Sequence, residues 1–248
     1  MTQYAFFFDQ SRCINCHACS IACKDWNDLE PGPVKWLRRY EWEKGVFPNV
    51  KHLYLFASCY HCENAVCIDA CKHNAIFKED KYGAVLVDQD KCAGDRNCYK
   101  VCPYGAPQFK TDEPGEKMSK CTMCIERLED GKLPICVESC PLRALDFGPI
   151  EEMIQKYGNL RRLEDMPNPE GIKPSIVFKP MGEKKPLVPY DAQKALFLLN
   201  QRGDDLPSYF DSVEDLTNVE EGTIRRDRLV LKPKSRKELL FYTKSEEA

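Results

Sequence analysis

Cys13-Ile14-Asn15-Cys16-His17-Ala18-Cys19-Ser20-Ile21-Ala22-Cys23 reads C-x2-C-x2-C-x3-C, the spacing with which bacterial ferredoxins hold an iron–sulfur cube. Three cysteines at three-residue intervals lie on one tight loop, so their thiolates can converge on three corners of a cluster. The fourth begins a helix that leads away, and such a cysteine usually ligates a second cluster. Three further runs repeat the design. Cys59-x2-Cys62-x4-Cys67-x3-Cys71 has two extra residues in its loop, and Cys92-x2-Asp95-x2-Cys98-x3-Cys102-Pro103 has an aspartate in its second slot. Cys121-x2-Cys124-x11-Cys136-x3-Cys140-Pro141 inserts a charged excursion between its second and third cysteines. All 15 cysteines fall in these runs, which leaves none for another task.

So many cysteines in 248 residues, with 43% hydrophobic content, imply that something besides apolar burial holds part of the fold. Disulfides fit badly, because the count is odd and no secretory signal precedes the first strand. Zinc usually takes two separated C-x2-C pairs, which describes only part of the pattern. Iron–sulfur clusters account for all of it. The formal charge of -3 understates the negative charge of the loaded protein, since an oxidised four-iron cube with four thiolates carries about -2. Lys24, Lys72, His73, Lys91, Arg96, Lys100, Lys120 and Arg143 stand within a few residues of cysteines and can offset this, although most read as ordinary solvated charges. The acidic balance argues against nucleic acid. No stretch approaches the ~20 apolar residues of a membrane helix. Ala5–Phe8 lacks a basic flank and a cleavage site, so no export address is expected in this chain.

Taken in order, Tyr4–Phe8 reads as a strand that enters the first loop. Trp36–Glu43 and Lys51–Ala57 read as strands from their aromatic and β-branched content. Ala75–Phe77 and Ala84–Val87 flank a turn at 80–83 and predict a hairpin. A second hairpin is predicted from Gln108–Lys110 and Lys117–Met118. Ala144–Phe147 reads as a closing strand, and Pro149 to Gly158 bracket a helix. Prolines at 167, 169, 174, 180, 186 and 189 favour an extended course beyond it. Asp191–Asn200 predicts one more helix, capped by Asp191, and the tail ends highly charged. The expected class is α+β: two ferredoxin-like units with two clusters each, plus an extended C-terminal tail. Residues 1–24 and 115–150 would form the first unit, 52–114 the second, with inserted strands over 25–51. Residues 151–248 would form an extension that wraps a partner through Leu196, Phe197 and Leu199, or lies as a strap on the chain itself.

The four-motif order, with Trp36…Glu43-Lys44-Gly45…Pro48 before the second motif and Cys140-Pro-Leu-Arg-Ala-Leu-Asp-Phe-Gly-Pro after the fourth, resembles the iron–sulfur (beta) subunit of the dimethyl-sulfoxide reductase family. The likeness spans roughly residues 1–180. It implies a non-catalytic electron-transfer subunit that serves a catalytic subunit carrying a molybdenum or tungsten bis-pterin cofactor. At the other end it implies a membrane anchor or a soluble redox partner. Export alongside a signal-bearing partner and residence in the cytoplasm both fit. Crosswise pairing, as in that family, gives Cys13, Cys16, Cys19 and Cys140 to cluster one, and Cys121, Cys124, Cys136 and Cys23 to cluster two. Cluster three takes Cys59, Cys62, Cys67 and Cys102. Cluster four takes Cys92, Cys98 and Cys71, with either Asp95 as an oxygen ligand to a fourth iron or a three-iron cluster in its place. Lys72 stands where the family has a proline after its last cysteine. None of His17, His52, His61 and His73 belongs to a catalytic constellation; His61 and His73 read as packing or hydrogen-bonding groups beside clusters. Two other readings share much of the pattern: a polyferredoxin of a hydrogenase or formate dehydrogenase complex, and a zinc-stapled binding module.

Overall fold

A computed structural model describes residues 2–45, 50–182, 191–201 and 227–243. Strand β1 (Tyr4–Asp9) is the centre of a three-stranded sheet, antiparallel to β6 (Leu145–Pro149) and parallel to β7 (Ile176–Lys179). Its four apolar residues are buried on both faces, which explains the unbroken Ala5-Phe6-Phe7-Phe8 run. Phe6 and Phe8 face the main core with Phe56, Phe147 and Phe178. Ala5 and Phe7 face helix α6 (Ile150–Tyr157), where the Phe7 and Tyr157 rings stack at 3.5 Å. Pro149 and Gly158 flank that helix as the sequence predicts.

Between β1 and β6 the polypeptide makes helix α1 (Ala18–Trp26) and then the antiparallel ladder of β2 (Arg38–Lys44) and β3 (Lys51–Ala57). Short helix α2 (Val66–Asp69), the three-residue hairpin of β4 (Ile76–Lys78) and β5 (Val85–Val87), and helix α3 (Asn97–Val101) follow. Helices α4 (Ile125–Glu129) and α5 (Ile135–Glu138) complete the cysteine-bearing part. The excursion in motif four is a compact turn around buried Arg127. Its guanidinium donates to Leu133 O at 2.8 Å, pairs with Glu138, and lies 4.4 Å over the Trp26 ring.

Three expectations change. The second predicted hairpin is a single bridge, Gln108 to Ser119. Beyond that bridge the strand groups have other partners: Lys110 O accepts from Arg236, Met118 O accepts from Gln89, and Met118 N faces Cys92 Sγ, while Arg96 holds the connecting turn through Thr111 O and Glu113 O. The segment after Gly158 is not uniformly extended and peripheral, because β7 is fully packed: Ile176 and Val177 are 0% exposed. The charged tail contains helix α8 (Arg236–Thr243), after α7 (Ala192–Asn200). Its segment lies on the chain itself: Leu231 is buried, and its carbonyl accepts from Arg38 Nη1 at 3.4 Å. Gly105 admits that strap. At φ +58 it adopts a left-handed turn, and a Cβ there would stand 2.5 Å from Leu231 O. Helix α7 behaves as predicted at its cap, where Asp191 accepts from Lys194 N at 3.0 Å. None of its residues is buried; Phe197 and Leu198 are exposed, whereas Leu196 and Leu199 are half-buried. Pro48 and the stretches 183–190, 202–226 and 244–248 lie outside the described residues.

Candidate metal centres

None of the 15 cysteines forms a disulfide, and the fold gathers them from distant runs. Cys13, Cys16, Cys19 and Cys140 line one cavity, floored by Phe8 and Leu145 and rimmed by Ile14 and Leu142. Its only exposed thiol is Cys16. Cys59, Cys62, Cys67 and Cys102 line a second, apolar cavity with Tyr60 and Tyr104. Cys71, Cys92, Cys98 and Asp95 line a third, together with His73. Cys23, Cys121, Cys124 and Cys136 are all buried and near enough to affect one another. Burial pushes the Cys23 thiol up, and the Cys121 and Cys124 thiols push it further. Cys136 is raised by burial and then by Cys23, Cys121 and Cys124.

Local backbone geometry explains how a short motif turns its thiols inward. Asn15 and His17 have φ of 57° and 63°, Arg96 59°, and Met123 and Cys124 64° and 51°. Left-handed residues at these points bend the loop so that backbone N–H groups face sulfur. Asn15 N lies 3.4 Å from Cys13 Sγ, and Met123 N lies 3.3 Å from Cys121 Sγ, the same two-residue step in motifs one and four. A second regularity follows the last cysteine of a run. Ala75 N donates to Cys71 Sγ and Ala144 N to Cys140 Sγ, both at 3.3 Å, and the Ala106 amide faces the Cys102 thiol. The spelling Cys-x3-Ala recurs at all three places. It was the available signal for these donors, since a small side chain lets the backbone approach sulfur.

Burial holds several of these thiols toward their neutral form. Burial, then the Cys59 thiol, pushes Cys67 up to about 12; burial, then Cys121, does the same to Cys124. Cys19 and Cys98 are pushed up to about 11, mainly by burial. Thiols that resist ionisation in an apo fold, aimed at shared cavities with N–H donors behind them, are the donor set of a thiolate-bound cation core. Among the described residues no group of three or more His, Cys, Asp or Glu side chains is arranged to hold a single ion.

Among the buried cations beside these sites are Arg39, which the motif reading did not name, and Lys120, which it named among the charges near cysteines. Arg39 is 2% exposed, contacts Cys13 Sγ through Nη2, and lies over the Phe8 ring. Lys120, expected among the solvated charges, is 4% exposed. The histidines have structural partners. His61 is fully buried and its Nδ1 accepts from Val85 N at 3.0 Å; His73 Nε2 lies against Asp95; His52 sits beside Tyr54 and Glu41. No helix among the described residues is long and apolar enough to cross a membrane.

The profile of the 4Fe-4S dicluster domain matches residues 50–150. The sequence is 47% identical over 193 residues to the B polypeptide of anaerobic dimethyl sulfoxide reductase from Escherichia coli, covering 75% of this protein and 92% of that one. The Haemophilus influenzae polypeptide of the same name is 39% identical over 189 residues, 73% of this protein and 90% of the other. The B polypeptide of sulfite dehydrogenase from Allochromatium vinosum is 38% identical over 172 residues, 61% of this protein and 71% of its own length.

Proposed function

The protein belongs to the family of iron–sulfur B subunits of dimethyl sulfoxide reductases, and from that premise we propose a four-site electron relay serving a molybdenum or tungsten catalytic subunit. It is an iron–sulfur electron-transfer subunit. A bound cluster supplies one-electron chemistry: it takes up and releases single electrons. The observation that supports the four-site reading is that each group of thiols comes from separate sequence runs: three groups line one cavity each, and the buried fourth is close enough for its thiols to affect one another.

Cys13, Cys16, Cys19 and Cys140 would hold cluster one, and Cys23, Cys121, Cys124 and Cys136 cluster two. Cys59, Cys62, Cys67 and Cys102 would hold cluster three. Cys71, Cys92 and Cys98 would hold cluster four, with Asp95 offering a carboxylate oxygen to its fourth iron. Clusters one and two form one ferredoxin-like unit in this reading, and three and four the other. Cys59 packs beside Cys121, which supports an electron step between the units at that point. The protein's own work is to hold thiolates, shield them from water with Phe8, Tyr60 and Tyr104, and offset charge with Arg39 and Lys120.

A large subunit would receive the relay at one end, and a membrane anchor or soluble redox protein would serve the other. Anaerobic purification of the native complex tests this. The expected result is a co-purifying large subunit with pterin-bound molybdenum or tungsten, plus iron and acid-labile sulfide near four clusters per copy of this protein. Zinc without labile sulfide would overturn it.

A further inference from the structure

Lys120 is buried, yet both its hydrogen-bond partners are neutral. Its ammonium donates to Val85 O and, at 3.2 Å, to Cys121 O, and among the described residues no carboxylate pairs with it. An ammonium removed from water and matched only by carbonyl dipoles is costly unless a negative group faces it. Two anionic sites would do so. The Lys120 side chain forms part of the wall around Cys59, Cys62, Cys67 and Cys102. The next residue, Cys121, belongs to the neighbouring thiol group and packs against Cys59.

The other titratable side chain here does not supply the balancing charge. Val85 donates its N–H to His61 Nδ1 and accepts from Lys120 at its carbonyl, which ties the two side chains to one residue of β5. Burial first, and the Lys120 charge second, hold the His61 imidazole well toward its neutral form.

We propose that Lys120 is a positioning residue for the electron: its charge, at the boundary between the Cys59 cavity and the Cys121 site, stabilises the reduced form of the cluster held by Cys59, Cys62, Cys67 and Cys102. This rests on the four-site reading and adds a direction to it. Reduction adds one negative charge beside a fixed positive one, while the neighbouring donor cluster loses one electron. The relay then has a built-in hold at the step between its two halves.

The test is an anaerobic redox titration of the full-length, cluster-loaded protein by electron paramagnetic resonance, with Cys67→Ser marking which signal belongs to the site. Iron and labile sulfide are measured on every sample. Lys120→Met is expected to make reduction of that cluster at least tenfold less favourable at a fixed potential, a 59 mV negative shift for a one-electron couple. Lys120→Arg should retain the wild-type midpoint to well within that shift. If Lys120→Met does not load iron, Lys120→Gln keeps amide donors for both carbonyls and is read in its place. A loaded neutral variant with unchanged midpoints overturns the proposal, as does a shift confined to another cluster. Absence of iron and sulfide from wild type would instead sink the four-site reading itself.

Discussion

The Nε2 atom of His73 lies 3.1 Å from a carboxylate oxygen of Asp95, the one residue that breaks the cysteine pattern. Both side chains are partly exposed, at 45% and 39%, at the mouth of the cavity lined by Cys71, Cys92 and Cys98. A carboxylate has two oxygens, so Asp95 can meet the ring with one and an iron with the other. Outer partners of this kind orient ligating carboxylates.

Oxygen is a harder donor than thiolate for a soft cluster, so the iron at this corner should be the labile one. Anaerobically purified wild type is expected to hold about sixteen irons if all four sites carry cubes. Mild oxidation should produce the near-isotropic signal of a three-iron cluster. Asp95→Cys should suppress that signal, and His73→Ala should make it appear sooner. Equal iron content and equal three-iron signal in anaerobic wild type and Asp95→Ala would show that Asp95 is no ligand.

Folding should depend on iron. The raised thiols of Cys19, Cys67, Cys98 and Cys124 keep their protons in an empty fold, and assembly replaces those protons with a cross-linking core. Calorimetry of the stripped protein should show little cooperative unfolding in the cysteine-bearing part. A sharp transition with near-native enthalpy would contradict this.

Gly105 is where the C-terminal strap meets the body. Gly105→Ala puts a methyl into Leu231 O and strains a left-handed residue, at an expected cost of about 1–3 kcal/mol. The change should expose the 227–243 segment to limited proteolysis before the rest of the protein. Unchanged cleavage and melting temperature would mean that the backbone shifts freely.

Helix α7 makes the opposite case. Phe197 and Leu198 are 60% and 52% exposed, so Phe197→Asp with Leu198→Asp should leave stability within about 0.5 kcal/mol of wild type. Association with the catalytic subunit should weaken at least tenfold, measured by co-purification and titration. Loss of clusters with association intact would favour a strap on the chain itself.

Much of this was legible in the residues. The cysteine spacings marked residues that line the cavities, the Lys51–Ala57 strand and its neighbours followed from composition, and Pro149 and Gly158 marked α6. What stayed hidden depended on remote partners. Ile176-Val177-Phe178 has strand-forming residues, but Pro174 and Pro180 close around so short a run, and its ladder with Phe6–Asp9 is what makes it a strand. Lys120 looks like any charge in Lys117-Met-Ser-Lys120 until β5 closes over it. The Gln108 hairpin shrinks to one bridge where Lys110 and Met118 have remote partners instead of each other: Arg236, Gln89 and Cys92.

The cavity shared by Cys13, Cys16, Cys19 and Cys140 also sets a schedule for synthesis. Its first three thiols leave the ribosome early, but the fourth is 121 residues behind Cys19, a wait of roughly 6–24 s at ordinary translation speeds. The strand beneath that loop must wait longer still for β7. The four cysteines of the Cys59 cavity are complete once Cys102 is made, although its wall also draws on Lys120. The interior pair of sites can therefore be furnished while the outer pair is still unfinished, so iron delivered during translation would meet a polypeptide that closes from its middle outward. A ribosome stalled between residues 103 and 139 would carry three reactive thiols in the first loop with nothing to complete their set.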